Sequence, residues 1–230
     1  MATSSLLLLL ADGRFPAGAH AHSGGLEAAV AAGRVTDLAT LEAFLAGRLA
    51  TAGLVGAAFA AAAHRAVTSA GSAVRGSTLA LLDAELDART AAPALRTVSR
   101  RQGRALLRAG RAIWPEVSFD DLPATPGGAH QPLVLGLLCA TAGLSRAETA
   151  AVAVHGTVTG AASAAVRLLG LDPYRVQALL VGLAGRCDGT AAAAARAADD
   201  PPEWLPAAAA PLADIHAEAH ATWEVRLFAS

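Results

Sequence analysis

The sequence predicts an all-α protein, a single compact domain of about eight to ten helices spanning residues 1–230. Three observations carry this. Alanine, the strongest helix former, supplies 62 of the 230 residues. Aromatic residues make up only 4% and isoleucine occurs twice, so residues that favour strands are scarce. Apolar residues recur at spacings of three and four, without strand alternation or a fixed-period repeat. At 54% hydrophobic residues the chain can build a substantial core, and at this size about 70% of the unfolded surface is buried on folding.

Each element follows from local punctuation. Ser23 is placed to cap a helix from Gly24 to about Ala32, with Gly33 as its stop. Thr36 or Asp37 opens a long segment to about Ala66, with Leu38, Leu41, Leu45, Leu49 and Ala52 along one side. Gly47, Gly53 and Gly56 within it permit close helix packing. Val67 to Gly76, rich in Ser, Gly and Thr, reads as a loop, and Ser77 as the cap of a helix to about Arg89. Pro93 suits the first turn of a helix to about Ile113. Trp114 to Gln131 is a Pro- and Gly-containing connection, and Pro132 starts a short apolar helix to about Thr141. Ser145 and Glu148 form a capping box for a helix to about Leu169, stopped by Gly170. Asp172 and Pro173 begin the next, which ends near Ala198. After a loop from Asp199 to Pro206, a last amphipathic helix carries Leu212, Ile215, Ala219, Trp223 and Leu227.

Composition excludes several chemistries. The chain has no lysine, hence no Walker A lysine, kinase lysine or Schiff-base nucleophile. All 18 basic residues are arginines, set against 19 acids for a net charge of −1, which is not the footprint of a nucleic-acid binder. Cys139 and Cys187 lack a CxxC spacing and read as reduced structural thiols of a cytoplasmic protein. Leu6 to Leu10 is too short for a signal core, lacks a preceding basic residue and is followed at once by Asp12 and Arg14. The uncharged stretch Thr149 to Val166 is dominated by Ala, Thr and Gly and reads as a buried helix rather than a membrane span.

Candidate sites are few. His20 and His22 are two metal-capable side chains at a spacing that makes weak ligand geometry; His216 and His220 lie one helical turn apart but have no third ligand and read as a half-exposed pair beside a partner surface. His64, His130 and His155 read as ordinary structural histidines. Arg96, Arg100, Arg104, Arg108 and Arg111, with Arg101 beside them, form a basic stripe down one helix; Asp83, Glu85 and Asp87 on the preceding helix are candidate partners. The stripe reads equally as a solvated charged face or as an interaction surface, because arginine pairs bidentately with carboxylates. No nucleophile–base–orienter grouping can be assembled, so no catalytic or resident metal site is expected.

The most distinctive stretch runs Leu8-Leu-Leu-Ala-Asp12-Gly-Arg14-Phe15-Pro16-Ala-Gly18-Ala-His20-Ala-His22-Ser23-Gly-Gly-Leu26-Glu27. It resembles the N-terminal signature of the UreF family of urease accessory proteins. Further blocks agree in order: Arg100-Arg101-Gln102-Gly103-Arg104-Ala105-Leu106-Leu107, His130-Gln131-Pro132-Leu133-Val134-Leu135-Gly136, Ala164-Ala165-Val166-Arg167-Leu168-Leu169, and the tail Arg226-Leu227-Phe228-Ala229-Ser230. Departures are local: Leu169 to Pro173 replaces the family's Pro-Leu-Gly-Gln, and Trp223, Glu224 and Val225 stand where the family has Gln, Tyr and Ser.

The resemblance implies a non-enzymatic, homodimeric, all-α maturation chaperone without a stable cofactor of its own. In this picture it sits between the accessory protein UreD (also called UreH) and the nickel-carrying GTPase UreG, regulates the GTPase and helps deliver nickel to apo-urease. It implies no nucleic-acid or membrane partner. The partner-binding residues expected in the signature are Arg14, Phe15, Pro16, His20, His22, Ser23 and Glu27. Arg100, Arg104 and Arg167 are expected from the middle of the chain. At the C-terminus, His220 joins Arg226, Leu227 and Phe228, an Arg-Leu-Phe cluster expected to be exposed as an anchor.

Overall fold

A computed structural model of the chain describes residues 4–69 and 71–229, and these residues form α-helices and short helical turns without a strand. The helices are α1 (Ser4–Ala11), α2 (Leu26–Ala31), α3 (Leu38–Arg48), α4 (Leu54–Ser69), α5 (Ser72–Arg89), α6 (Pro93–Ile113), α7 (Gln131–Thr141), α8 (Arg146–Leu169), α9 (Pro173–Ala197) and α10 (Pro211–Ala221). Helices α3 and α4 are one continuous rod joined through a π-helical turn at Leu49–Gly53.

The local signals act as the sequence predicts at most boundaries. Asp37 is the cap of α3: its carboxylate accepts from Thr40 N at 2.8 Å, while Thr40 Oγ1 accepts from Asp37 N at 3.0 Å. Ser145 Oγ accepts from Glu148 N at 3.2 Å, and Glu148 Oε2 accepts from Ser145 N at 2.7 Å. Both are reciprocal capping boxes. Asp172 caps α9 through Tyr174 N at 2.9 Å, and Gly170 closes α8 in the left-handed conformation.

Helix α4 is the centre of the molecule. It packs on α5, α7, α8 and α9, and its Ala57, Ala58, Phe59, Ala60 and Ala61 are fully buried. The alanines bring neighbouring backbones close. At Gly136 of α7 an added Cβ would lie 2.4 Å from the Ala60 carbonyl oxygen. At Gly103 of α6 it would lie 2.2 Å from the Ala129 carbonyl oxygen. Each glycine belongs to a sequence block noted above, and each marks a backbone approach that no side chain permits.

Two boundaries differ from expectation. The stretch from Val67 to Gly76 is not an extended loop: α4 continues to Ser69 and α5 begins at Ser72, with residue 70 outside the described residues. Thr68 Oγ1, within the expected loop, instead donates back along its helix to His64 O at 3.0 Å, and Ser77, expected to cap the helix, lies inside α5 with its Oγ donating to Val74 O at 2.9 Å. The last helix stops at Ala221, so Trp223 and Leu227 are not on its face.

Leu38–Ser69 and Arg146–Leu169 are long and apolar enough to cross a bilayer by length and composition. In this fold they pack against one another and against α7 and α9, which buries 44% and 39% of their most apolar stretches. Cys139 and Cys187 are both free thiols, and burial pushes Cys139 up to about 12.

Candidate functional site

The two ends of the chain meet. Leu8 to Ala11 completes α1, which packs on α8 with Leu10 buried and Leu8 and Leu9 exposed. A turn then carries Arg14, paired with Asp12 at 2.8 Å on the surface, the half-buried Phe15 and the exposed Pro16. The short helical turn Ala19–Ala21 leaves His20 exposed and His22 half-buried. Burial, then the charge of Arg101 and the neighbouring His20, push the His22 imidazole below its ordinary value. Gly25, at φ 88°, is the N-cap of α2. Ser23 is buried, and its Oγ accepts from Glu27 N at 3.2 Å, so it does stabilise the start of this helix.

Glu27 is the organising residue. It is buried on α2, and its Oε1 accepts from Leu227 N at 2.8 Å. Its Oε2 accepts from Phe228 N at 3.0 Å and faces His220 Nε2 at 2.9 Å. Burial works to raise this carboxyl, but the Leu227 amide, His220 and the Phe228 amide outweigh it and hold it below the usual glutamate value. An ionised Glu27 requires that His220 Nε2 carry its hydrogen. That nitrogen is thereby withdrawn from metal binding, and His220 is a buried structural residue rather than half of an exposed pair with His216.

The tail is therefore strapped to the signature. Ala229 N donates to Ala21 O at 2.7 Å, and Ser230 lies outside the described residues. Phe228 is only 4% exposed, with the Arg167 guanidinium 4.8 Å above its ring. This corrects the expectation of an exposed Arg-Leu-Phe anchor: Phe228 fills the chain's own core. Arg226 and Leu227 do face outward, Leu227 being 64% exposed, beside Val225 at 85%. Exposed Leu212 and Ile215 on α10 add to the apolar surface of the C-terminal region.

A second constellation lies under the α5–α6–α7 corner. Arg100 Nη2 is 2.9 Å from Asp83 Oδ2 and 3.0 Å from Asp87 Oδ1; its Nη1 donates to Gly128 O at 2.6 Å. His130 Nε2 faces Asp87 Oδ1 at 2.8 Å and Nδ1 faces Ser99 Oγ at 2.9 Å; its backbone N–H donates to Asp83 at 3.1 Å. Burial pushes His130 down despite Asp87, so the ring is neutral at pH 7. Arg100 is thus committed inside the chain, contrary to the expectation that it meets a partner. Arg104 is exposed, donating to the Gly127 carbonyl. The expected pairing of the stripe with Asp83 and Asp87 holds for Arg100; Glu85 pairs with Arg89 instead.

One contributor carries no local sequence signal. Arg48, on α3, donates to the Gly24 carbonyl, and its Nε is out of solvent without a partner. Burial pulls its guanidinium down to about 10. It fixes the Ser23–Gly25 turn that presents Glu27.

The UreF family model matches residues 35–184. The chain is 47% identical to a urease accessory protein UreF of Mycobacterium sp. (strain JLS) and 45% to that of Mycolicibacterium vanbaalenii, in both cases over 230 residues and the whole of each chain. It is 46% identical over 188 residues to the Mycobacterium tuberculosis protein of that name, covering 82% of this chain and 83% of the relative. The matches to the first two relatives span both termini, which the family match leaves out, and the chain belongs to the UreF family of urease accessory proteins.

Proposed function

We propose that this chain is a non-enzymatic urease maturation chaperone, an adaptor that joins UreD to the UreG GTPase, regulates that GTPase and assists nickel delivery to apo-urease. Nickel is cargo of the complex, and the adaptor needs no resident cofactor. It acts in the cytoplasm as a homodimer, without nucleic acid or membrane. Full-length similarity to urease accessory proteins carries the reading. The terminal cluster supports it: an adaptor needs a rigid platform with outward side chains, and Glu27, Ser23, His220 and Phe228 build the platform from which Arg226 and Leu227 project. Arg14, Phe15, Pro16, His20 and His22 border the same platform, while Arg104 and Arg167 lie on the exposed faces of α6 and α8. Arg100 serves by holding α6 in place.

The fold divides these roles by experiment. Arg226→Ala with Leu227→Ser should reduce co-purification with UreD by about tenfold or more, as interface anchors do, and leave the melting temperature unchanged. Phe228→Ala should lower stability by about 3–5 kcal/mol, the usual cost of truncating a buried phenylalanine. Undiminished UreD capture by the double variant would remove the tail from the partner surface.

A further inference from the structure

Helix α6 has two unlike faces. Gly103, Leu106, Ala109 and Gly110 are buried, and an added Cβ at Gly110 would come 2.4 Å from Leu138 of α7. The helix is therefore held rigidly against its neighbours. On the opposite side Arg101, Arg104, Arg108 and Arg111 are exposed at spacings of three, four and three. At 1.5 Å per residue they form a line of about 15 Å. Arg104 touches the Gly127 carbonyl, and none of the four makes an ion pair among the described residues. This is a local concentration of positive charge in a chain of net charge −1. A cleft of about 250 Å³ opens beside the line, lined by Arg96, Arg100 and Arg104, with Asp87 as its one acid.

We infer that this face docks an acidic helix of a partner protein, whose carboxylates repeat at the same three-and-four spacing. Guanidinium forks match carboxylates bidentately, and a straight cationic row on a rigid helix matches a second helix laid alongside it. A second copy of this chain does not supply that helix. Among the described residues its helical acids are spent or stand one to a helix: Glu27 holds the tail, Asp83 and Asp87 hold Arg100, Glu85 holds Arg89, Glu148 caps α8 and Glu218 caps Ala94 N at 2.7 Å, which leaves Glu42 on α3, Asp188 on α9 and Asp214 on α10. The row starts at Arg101, whose charge reaches His22 of the signature, and runs on to Arg111 in the last turn of α6; the inference does not depend on the identity of the protein bound at the Glu27 cluster.

The test uses the full chain and a synthetic helical peptide bearing four glutamates at the stripe's spacing, with a scrambled peptide of equal composition and a duplex RNA as comparisons. Fluorescence anisotropy should show the patterned peptide binding more tightly than the scrambled one, with affinity falling as salt rises. Arg101→Glu/Arg108→Glu/Arg111→Glu should weaken it by about ten- to a hundredfold, the sum of several exposed ion pairs lost. The glutamine triple variant serves if the glutamate one does not fold. UreD co-purification should be unaffected by Arg108→Glu/Arg111→Glu, which leaves Arg101 in place beside His22 and so separates this surface from the terminal one. Equal binding of the two peptides, unchanged affinity in the variants, or tighter binding of RNA than of the patterned peptide would each overturn the inference.

Discussion

Glu27 satisfies three donors with two oxygens, and each donor comes from the last eleven residues of the chain. Glu27→Ala leaves two backbone amides and a buried histidine without partners, at about 1–3 kcal/mol for each group that water does not reach. Urea denaturation should register a loss of that order, and limited proteolysis should cut the tail of the variant first. The same carboxylate sets a pH dependence. Its folded pKa lies below its ordinary value of 4.5, so its stabilisation is full above 4.5 and disappears as pH falls through the lower folded value. His130 acts in the same sense from a higher pH. Its folded pKa is below 6.5, so the unfolded chain takes up its proton first and stability declines as pH falls below 6.5. The melting temperature should therefore fall on acidification from pH 7, with the steeper loss below pH 4.5. A melting temperature flat from pH 7 to 4.5 would show that His130 is not linked to folding, and one that stays flat as pH falls further would show the same for Glu27.

At the scale of the element, what could be read from sequence was whatever is local. Ser145 with Glu148, Asp172 with Pro173, and Pro93 fix helix starts through bonds that span only a few residues, and these starts stand where the sequence places them. The Thr68 and Ser77 hydroxyls carry the same local chemistry but bond backward, because packing of α5 on α4 favours helix over loop. The tail defeats a local reading altogether. Arg226, Leu227 and Phe228 look alike as a terminal cluster, yet Glu27, 201 residues away from Phe228, holds the backbone amides of both Leu227 and Phe228 so that only the Phe228 side chain turns inward. Gly103 and Gly136 were visible within their blocks, but only the fold reveals the carbonyls facing them. Gly136→Ala should consequently force α7 away from α4. A cost of about 1–3 kcal/mol, typical of overpacking, should appear as a lower melting temperature without loss of helical circular dichroism. An unchanged melting temperature would mean that the α4–α7 contact yields easily.

For the molecule as a whole, α9 leaves Tyr174 and Val181 exposed at 84% and 75%, along a side that also presents Gly182, Gly185 and Gly189. Such a face suits close approach by a second helix and agrees with the proposed homodimer. Light scattering at micromolar concentration should give about twice the chain mass of 22.9 kDa, and Val181→Arg should return it to the monomer. A monomeric wild type at high concentration would contradict the dimer while leaving the adaptor role open. That role is tested most directly by complementation. In a host whose urease operon lacks its own UreF, expression of this chain should restore urease activity and nickel content of the enzyme, and UreD and UreG should co-purify with it. Apo-urease that stays inactive while the chain is folded and abundant, with neither protein captured, would contradict the account.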